Sequence, residues 1–370
     1  MSGSAVNRDR RDLHPTQRQP APDVIRAIAL FGVILMNYHG YLVIRGAPRR
    51  DGALSELLDP WTGVFSTRFA ATFVLVAGVG VTLMTRSAIG APARVRTLRW
   101  RLASRGMVLY AFGLAFDIIW PGAILPFSGE MFAVAALLFT LRTRWLVVVG
   151  AAAALAGWAI AWWRLEREID ARSTAWLTDP GARSVRGLVF DVMVNGTHPL
   201  LPWLAFFCAG MVVGRIAGTA GASRDVIGTG VALFGFAVVG RWLLWDGADT
   251  RARVLFSTEP FDRGLLYVVS ALGTALVAYG VISWLVDRLV DVPVVDGLRR
   301  AGQLSLTIYV LHALVFNLLV DTLGFIDQGD VFAALLLAVL VWGVATVAAA
   351  AWQPRHERGP LEQVYRSITR

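Results

Sequence analysis

The chain has no lysine: all 35 of its basic residues, within 370, are arginine. A G+C-rich genome accounts for that bias without any chemical need for guanidinium. Its single cysteine, Cys208, lies in an apolar segment, which excludes an intrachain disulfide framework and a cysteine-based metal site. Charged residues amount to 16 % against 56 % hydrophobic, a balance that no water-soluble domain of this size needs to fill its core. The first 20 residues contain no apolar run. They are polar, basic and proline-containing, which predicts a disordered cytoplasmic tail rather than a signal peptide, with the first span serving as its own insertion signal. The net charge of +9 is spread over several loops with no recognised nucleic-acid motif, so nucleic acid is not an expected partner.

What the chain does have is long apolar runs. Each of Phe69 to Met84, Leu146 to Trp163, Leu265 to Val286 and Val331 to Trp352 approaches the roughly 20 residues that cross a hydrocarbon core about 30 Å thick. The pattern predicts an all-α, polytopic transmembrane helix bundle of about ten spans. These fall near 24–44, 63–85, 104–120, 124–141, 145–163, 199–217, 226–245, 264–286, 303–323 and 331–352. On alternate sides of such a bundle 21 arginines face 11, and the positive-inside rule then places both termini in the cytosol. The expected organisation is a basic tail over 1–21, a membrane domain over 22–353 and a cytoplasmic C-terminal tail over 354–370. Between Arg86 and Arg105 lie six arginines and no acid, a segment suited to anionic lipid headgroups or to the phosphates of a nucleotide-like donor. The long outer segment from Arg164 to Thr197, with Trp176 in it, is expected to lie at the interface or to cover a cavity.

Ionisable groups inside spans are costly and mark functional positions. In this topology Asn37, His39, Arg68, Asp117, Glu130, His198 and Arg241 all fall towards the outer face. Snorkelling to the headgroups accounts for some of them singly, and an Arg68–Asp117 ion pair is one structural alternative. His198 precedes Pro199 at the start of a predicted helix, where the positive helix terminus favours a neutral imidazole, the form a general base requires. Ser305, Tyr309 and His312 share one helix face, spaced i, i+4, i+7. Interhelical hydrogen bonding is one account of them, and a pore-lining role suits them better than a Ser-His pair, because two turns separate the serine from the histidine. Arg26 and Asn37, three turns apart, share a face of the first span and suggest a polar seam from the inner edge to the outer cluster.

Four stretches resemble the transmembrane acyltransferase superfamily, in particular bacterial relatives of heparan-α-glucosaminide N-acetyltransferase. They are Pro22 to Tyr38 (PDVIRAIALFGVILMNY), Arg68 to Gly78 (RFAATFVLVAG), His198 to Gly210 (HPLLPWLAFFCAG) and Gly302 to His312 (GQLSLTIYVLH). The resemblance implies a membrane acyltransferase that carries an acyl group, acetyl in particular, from cytosolic acyl-CoA to an extracytoplasmic glycan or lipid-linked acceptor. It implies a multi-pass protein of the bacterial plasma membrane with acetyl-CoA as co-substrate and no metal. On that reading His39 or His198 is the base or acyl carrier, Asn37 and Arg68 polarise the thioester carbonyl or bind an anion, and Asp117 orients them. Arg26, Ser305, Tyr309 and His312 are the expected donor-binding positions. The chain departs from the family pattern at Ala27, where a glycine is usual, at Leu58, and at Asn37, where sugar O-acyltransferases carry histidine. A transporter of a small anionic or lipid-linked molecule and a non-catalytic membrane scaffold are the competing readings. The oligomeric state is left open, a homodimer among the options.

Overall fold

The computed structural model describes residues 19–48, 51–179, 184–247, 249–326 and 330–369. The tail expected over 1–21 therefore lies outside the described residues up to residue 18, and the first helix already begins at Ala21. Among the described residues all regular structure is helical. Twelve helices build the body: α1 Ala21–Ile44, α2 Arg68–Thr85, α3 Pro92–Asp117, α4 Leu125–Leu138, α5 Thr143–Ile169, α6 Leu200–Ile216, α7 Ala222–Leu244, α8 Leu265–Arg288, α9 Pro293–Gln303, α10 Ser305–Phe316, α11 Val331–Trp352 and α12 Pro360–Ile368.

Seven of these helices are long and apolar enough to span a bilayer, α2 and α10 with the short turns that extend them to Ala88 and Thr322. An eighth span exists if the segment Val185–Asn195 and α6, bent by 56° at the break between them, count together. The sequence expectation of about ten differs at two places. α3 has the length, but Arg94, Arg96, Arg99 and Arg101 come before the expected span 104–120, which itself keeps Arg105 and Asp117. α4 has 14 residues, about 21 Å of helix at 1.5 Å per residue, which is short of the hydrocarbon thickness.

Lipid is the solvent for the outside of the bundle. In the most apolar part of α11 only 22 % of residues are buried inside the protein, and in α7 only 17 %. Water would not tolerate Trp242 at 80 % exposure beside Leu243 at 65 % and Val239 at 54 %. In lipid, helices gain little from hiding apolar surface from one another, so close backbone approach takes over. Gly78 on α2 sits against the Phe207 carbonyl of α6, and Gly210 on α6 against the Leu75 carbonyl of α2. Any side chain at either position would separate the two helices.

α1 is largely enclosed and runs beside α2, α8, α9, α10 and α11. At its start the backbone of Asp23 passes so close to Gly302 that only glycine fits there. That contact lets Gln303 donate to the Asp23 carboxylate at 2.9 Å. Helical geometry breaks at Leu304 (φ −102°, ψ 22°), so α9 and α10 are separate helices and α10 starts inside the protein.

Candidate functional site

The N-terminus of α10 exposes backbone N–H groups that need acceptors. A residue of α12 supplies them: one Glu362 oxygen accepts from the N–H of Leu306 at 2.8 Å and of Thr307 at 3.0 Å, and the other from the Thr307 hydroxyl at 2.5 Å. α12 is thereby held against the bundle, a placement that the reading of 354–370 as a tail did not foresee.

Between α1, α2, α3, α4, α10 and α12 lies a cavity of about 660 Å³. At one end are Asp23, Arg26, Arg86, Arg105, Arg358 and Arg366. Its middle is apolar, with Phe73, Ala77, Val81, Leu109 and Phe132, and it reaches Ser305 and Tyr309 on α10 and Ile124 and Ser128 on α4. Three of the four expected donor-binding positions, Arg26, Ser305 and Tyr309, thus line one cavity. Arg26 is paired to Asp23 at 3.2 Å.

His312, the fourth, lies behind Tyr309 and is fully buried. Its Nδ1 is hydrogen-bonded to the Tyr309 carbonyl. A carbonyl oxygen can only accept, so the proton resides on Nδ1 and Nε2 presents a lone pair. Nε2 lies 3.3 Å from Nδ2 of Asn37 on α1. The Tyr38 hydroxyl donates to the His312 carbonyl at 2.8 Å, and the rings of Tyr309, Trp120 and Tyr38 enclose the imidazole with centroids 5.0, 5.4 and 5.8 Å away. The i+11 relation between Arg26 and Asn37 therefore links the charged end of the cavity to the polar core beyond Tyr309.

Tyr309 is itself held by the short connection between α3 and α4. Its hydroxyl oxygen accepts from the Ile124 N–H at 3.0 Å. Seven residues earlier, at the end of α3, Asp117 organises the turn, accepting from the N–H of Gly122 at 2.9 Å and of Ala123 at 3.1 Å. Asp117 thus reaches Tyr309 through three consecutive backbone groups and makes no pair with Arg68.

The remaining candidates sit apart from this core. Arg68 donates to the Val64 carbonyl at 2.6 Å and to Ser270 and Thr274 of α8, both at 3.2 Å. His39 is buried, with Nδ1 2.7 Å from the Leu58 carbonyl. His198 stands one residue before the Pro199 cap of α6, between the rings of Trp203 at 4.5 Å and Phe127 at 5.9 Å. The loop that carries it is held by Arg263, which donates to the carbonyls of Val194, Asn195 and Gly196. Burial, with Arg164 nearby, pushes the Arg263 pKa down to about 10, which still leaves it charged at neutral pH. None of His39, His198 and His312 lines the cavity itself; His312 is set apart by lying one turn beyond Tyr309, which does. Among the described residues no group of three or more His, Cys, Asp or Glu side chains could hold a metal.

The fold and this site define a multi-pass membrane protein with a polar-ended cavity inside its helix bundle. The chain belongs to the heparan-alpha-glucosaminide N-acetyltransferase catalytic family, whose match spans residues 18–245, more than half of the sequence. Residues 225–370 match a second family, described as a protein of unknown function (DUF418). No curated protein matches the chain. The catalytic family points to a membrane acyltransferase. Its match ends before α8 and so leaves Tyr309, His312 and all of α12 to the second family.

Proposed function

We propose that the protein transfers an acetyl group from acetyl-CoA to a hydroxyl or amine of a glycan or lipid-linked acceptor, in a bacterial plasma membrane. The donor enters at the arginine-rich end, which the positive-inside rule assigns to the cytosol together with both termini, and the acceptor approaches from the other side. The observation that carries this reading is the cavity of about 660 Å³, lined by charged groups from the starts of α1 and α12, by apolar side chains of α2, α3 and α4, and by Ser305 and Tyr309 of α10. That profile suits a ligand with phosphates at one end and a neutral thioester arm at the other.

The chemistry follows from the atoms at the closed end. The Tyr309 hydroxyl accepts from Ile124 and keeps its own hydrogen to donate to the thioester carbonyl oxygen, where negative charge develops. His312 Nε2 is the base. The acceptor displaces the long Asn37 contact, and its proton moves to Nε2 as its oxygen or nitrogen bonds to the carbonyl carbon. The C–S bond breaks and the departing sulfur takes the proton back from the imidazolium. Asp117 positions the Ile124 end of the site, and Arg68 fixes α2 on α8. His39 and His198 are the competing bases.

The test is CoA release by purified protein given acetyl-CoA and a glycan extract. His312→Ala is expected to lose about 10²- to 10⁴-fold in rate, the usual contribution of a general base, with His39→Ala and His198→Ala much less affected. Full turnover in His312→Ala removes it as the base, and a selective loss in either other variant moves the role there.

A further inference from the structure

Beside the mouth of the large cavity is a second chamber, of about 350 Å³, lined by Arg101, Arg105, Arg358, Arg366 and Thr369. Arg105, Arg358 and Arg366 border both spaces, so the two adjoin. The guanidinium groups come from opposite parts of the chain: Arg101 and Arg105 lie one turn apart on α3, Arg358 precedes α12, and Arg366 lies in its last turn. Two like charges at i, i+4 destabilise a helix, and here two more are brought against them. Among the described residues Arg101, Arg105 and Arg366 have no carboxylate partner, and Arg358 has only its exposed neighbour Glu357, at 4.0 Å. Yet α12 is firmly placed, by Glu362 on α10 and by the Tyr365 hydroxyl donating to the Arg105 carbonyl at 2.9 Å. Those contacts hold the C-terminal arginines against the α3 arginines despite the repulsion. The arrangement becomes favourable once an anion of high charge density occupies the chamber, since guanidinium forks match phosphate oxygens.

We propose that this chamber binds the phosphates at the nucleotide end of the acyl donor, with α12 supplying half of the site. The segment after the catalytic family match, whose own family has no assigned function, is then a substrate-binding element. The inference rests on the acyl-donor reading above for the identity of the ligand, while the phosphate chemistry stands on the arginines themselves. Anionic lipid headgroups offer the same chemistry and are the other source to be distinguished.

The experiment measures equilibrium binding to the full chain in nanodiscs of neutral lipid. The probes are CoA, dephospho-CoA, pantetheine and adenosine 3′,5′-bisphosphate, applied to wild type, Arg101→Gln, Arg366→Gln and Arg366→Lys. Wild type is expected to bind CoA more tightly than dephospho-CoA, and dephospho-CoA more tightly than pantetheine. Each Gln variant is expected to lose about tenfold or more for CoA, the weight of one charge-assisted hydrogen bond, while pantetheine binding stays unchanged and reports an intact fold. Arg366→Lys should recover part of the loss. Equal affinity of wild type for CoA and dephospho-CoA, or a loss in the variants that is the same for pantetheine as for CoA, overturns the proposal. Unchanged CoA binding, with less anionic lipid retained by the variants on purification, also overturns it and assigns the chamber to lipid. Arginine-dependent binding of adenosine 3′,5′-bisphosphate without binding of any pantetheine compound would keep the phosphate site and remove the acyl-donor reading. Arginine-independent CoA binding would do the reverse.

Discussion

The side-chain amide of Asn37 lies 3.3 Å from Nε2 of His312, across 275 residues of sequence. The pairing joins the first transmembrane helix, inside the catalytic family match, to a helix of the segment that the second family covers. Asn37→Ala removes the amide from that nitrogen, while the Nδ1 contact with the Tyr309 carbonyl stays. Loss of one buried hydrogen bond is expected to lower stability by about 1–3 kcal/mol. Thermal unfolding in detergent checks that figure, and CoA release then shows whether catalysis falls further than stability alone explains.

Tyr309→Phe separates two roles of one hydroxyl. It strips the buried Ile124 N–H of its acceptor, at a cost of about 1–3 kcal/mol, and it removes the donor at the closed end of the cavity. A lost oxyanion donor is expected to slow turnover by about 10²- to 10³-fold, with little change in the KM for acetyl-CoA. A raised KM with unchanged kcat would place the hydroxyl in donor binding instead.

Asp117→Ala acts on the same tyrosine from a distance. The Gly122 and Ala123 N–H groups lose their shared acceptor, and the turn that presents Ile124 loosens. Turnover should fall several-fold while acetyl-CoA affinity holds, and Asp117→Asn, which keeps one acceptor oxygen, should recover part of it.

Glu362→Ala uncaps α10. Three donors lose their acceptor at once, and the helix start loses a favourable carboxylate, so stability should drop by about 1–2 kcal/mol. Because Glu362 also anchors α12, limited proteolysis should cut near residue 358 faster than in wild type. Unchanged cleavage would mean that α12 is held chiefly by Tyr365.

A pH-dependent effect is expected at Asp262, in the loop before α8. Burial holds its pKa above the usual 3.8, while the Ser257 hydrogen bond and Arg241 pull the other way without prevailing. For an acid with a raised folded-state pKa, the stabilising form is the protonated one, present below pH 3.8 and lost as pH rises through the folded value. Asp262→Asn is therefore expected to raise the unfolding temperature at pH 7, with the gain shrinking towards pH 4. A gain independent of pH would assign the effect to something other than charge.

Much of the fold was legible because lipid demands continuous apolar length: α1, α5, α7, α8 and α11 stand close to where hydropathy places them. α3 and α4 were less legible, since a helix with a charged half and one of only 14 residues both carry apolar stretches that hydropathy alone reads as spans. At the site, the i+11 spacing of Arg26 and Asn37 and the shared face of Ser305, Tyr309 and His312 were readable as helical arithmetic. That the two faces meet at Asn37 and His312 is tertiary information, invisible in either segment. The expectation that polar groups of similar depth form one cluster assumed that depth implies proximity. Arg68 instead turns to α8, His39 to Leu58 and His198 to two aromatic rings. The part played by Arg358, Glu362 and Arg366 was hidden because a short polar helix after the last span reads as a tail, and only the exposed start of α10, created by the break at Leu304, gives Glu362 something to cap.

On the proposed reading, the cavity between the arginine cluster and Tyr309 holds the acyl donor. A cryo-EM map of the protein with acetyl-CoA tests it most directly. Elongated density is expected, with its phosphates beside Arg105 and Arg366 and its thioester within hydrogen-bond reach of the Tyr309 hydroxyl. An empty cavity at saturating acetyl-CoA, or donor density bound elsewhere on the protein, would contradict it.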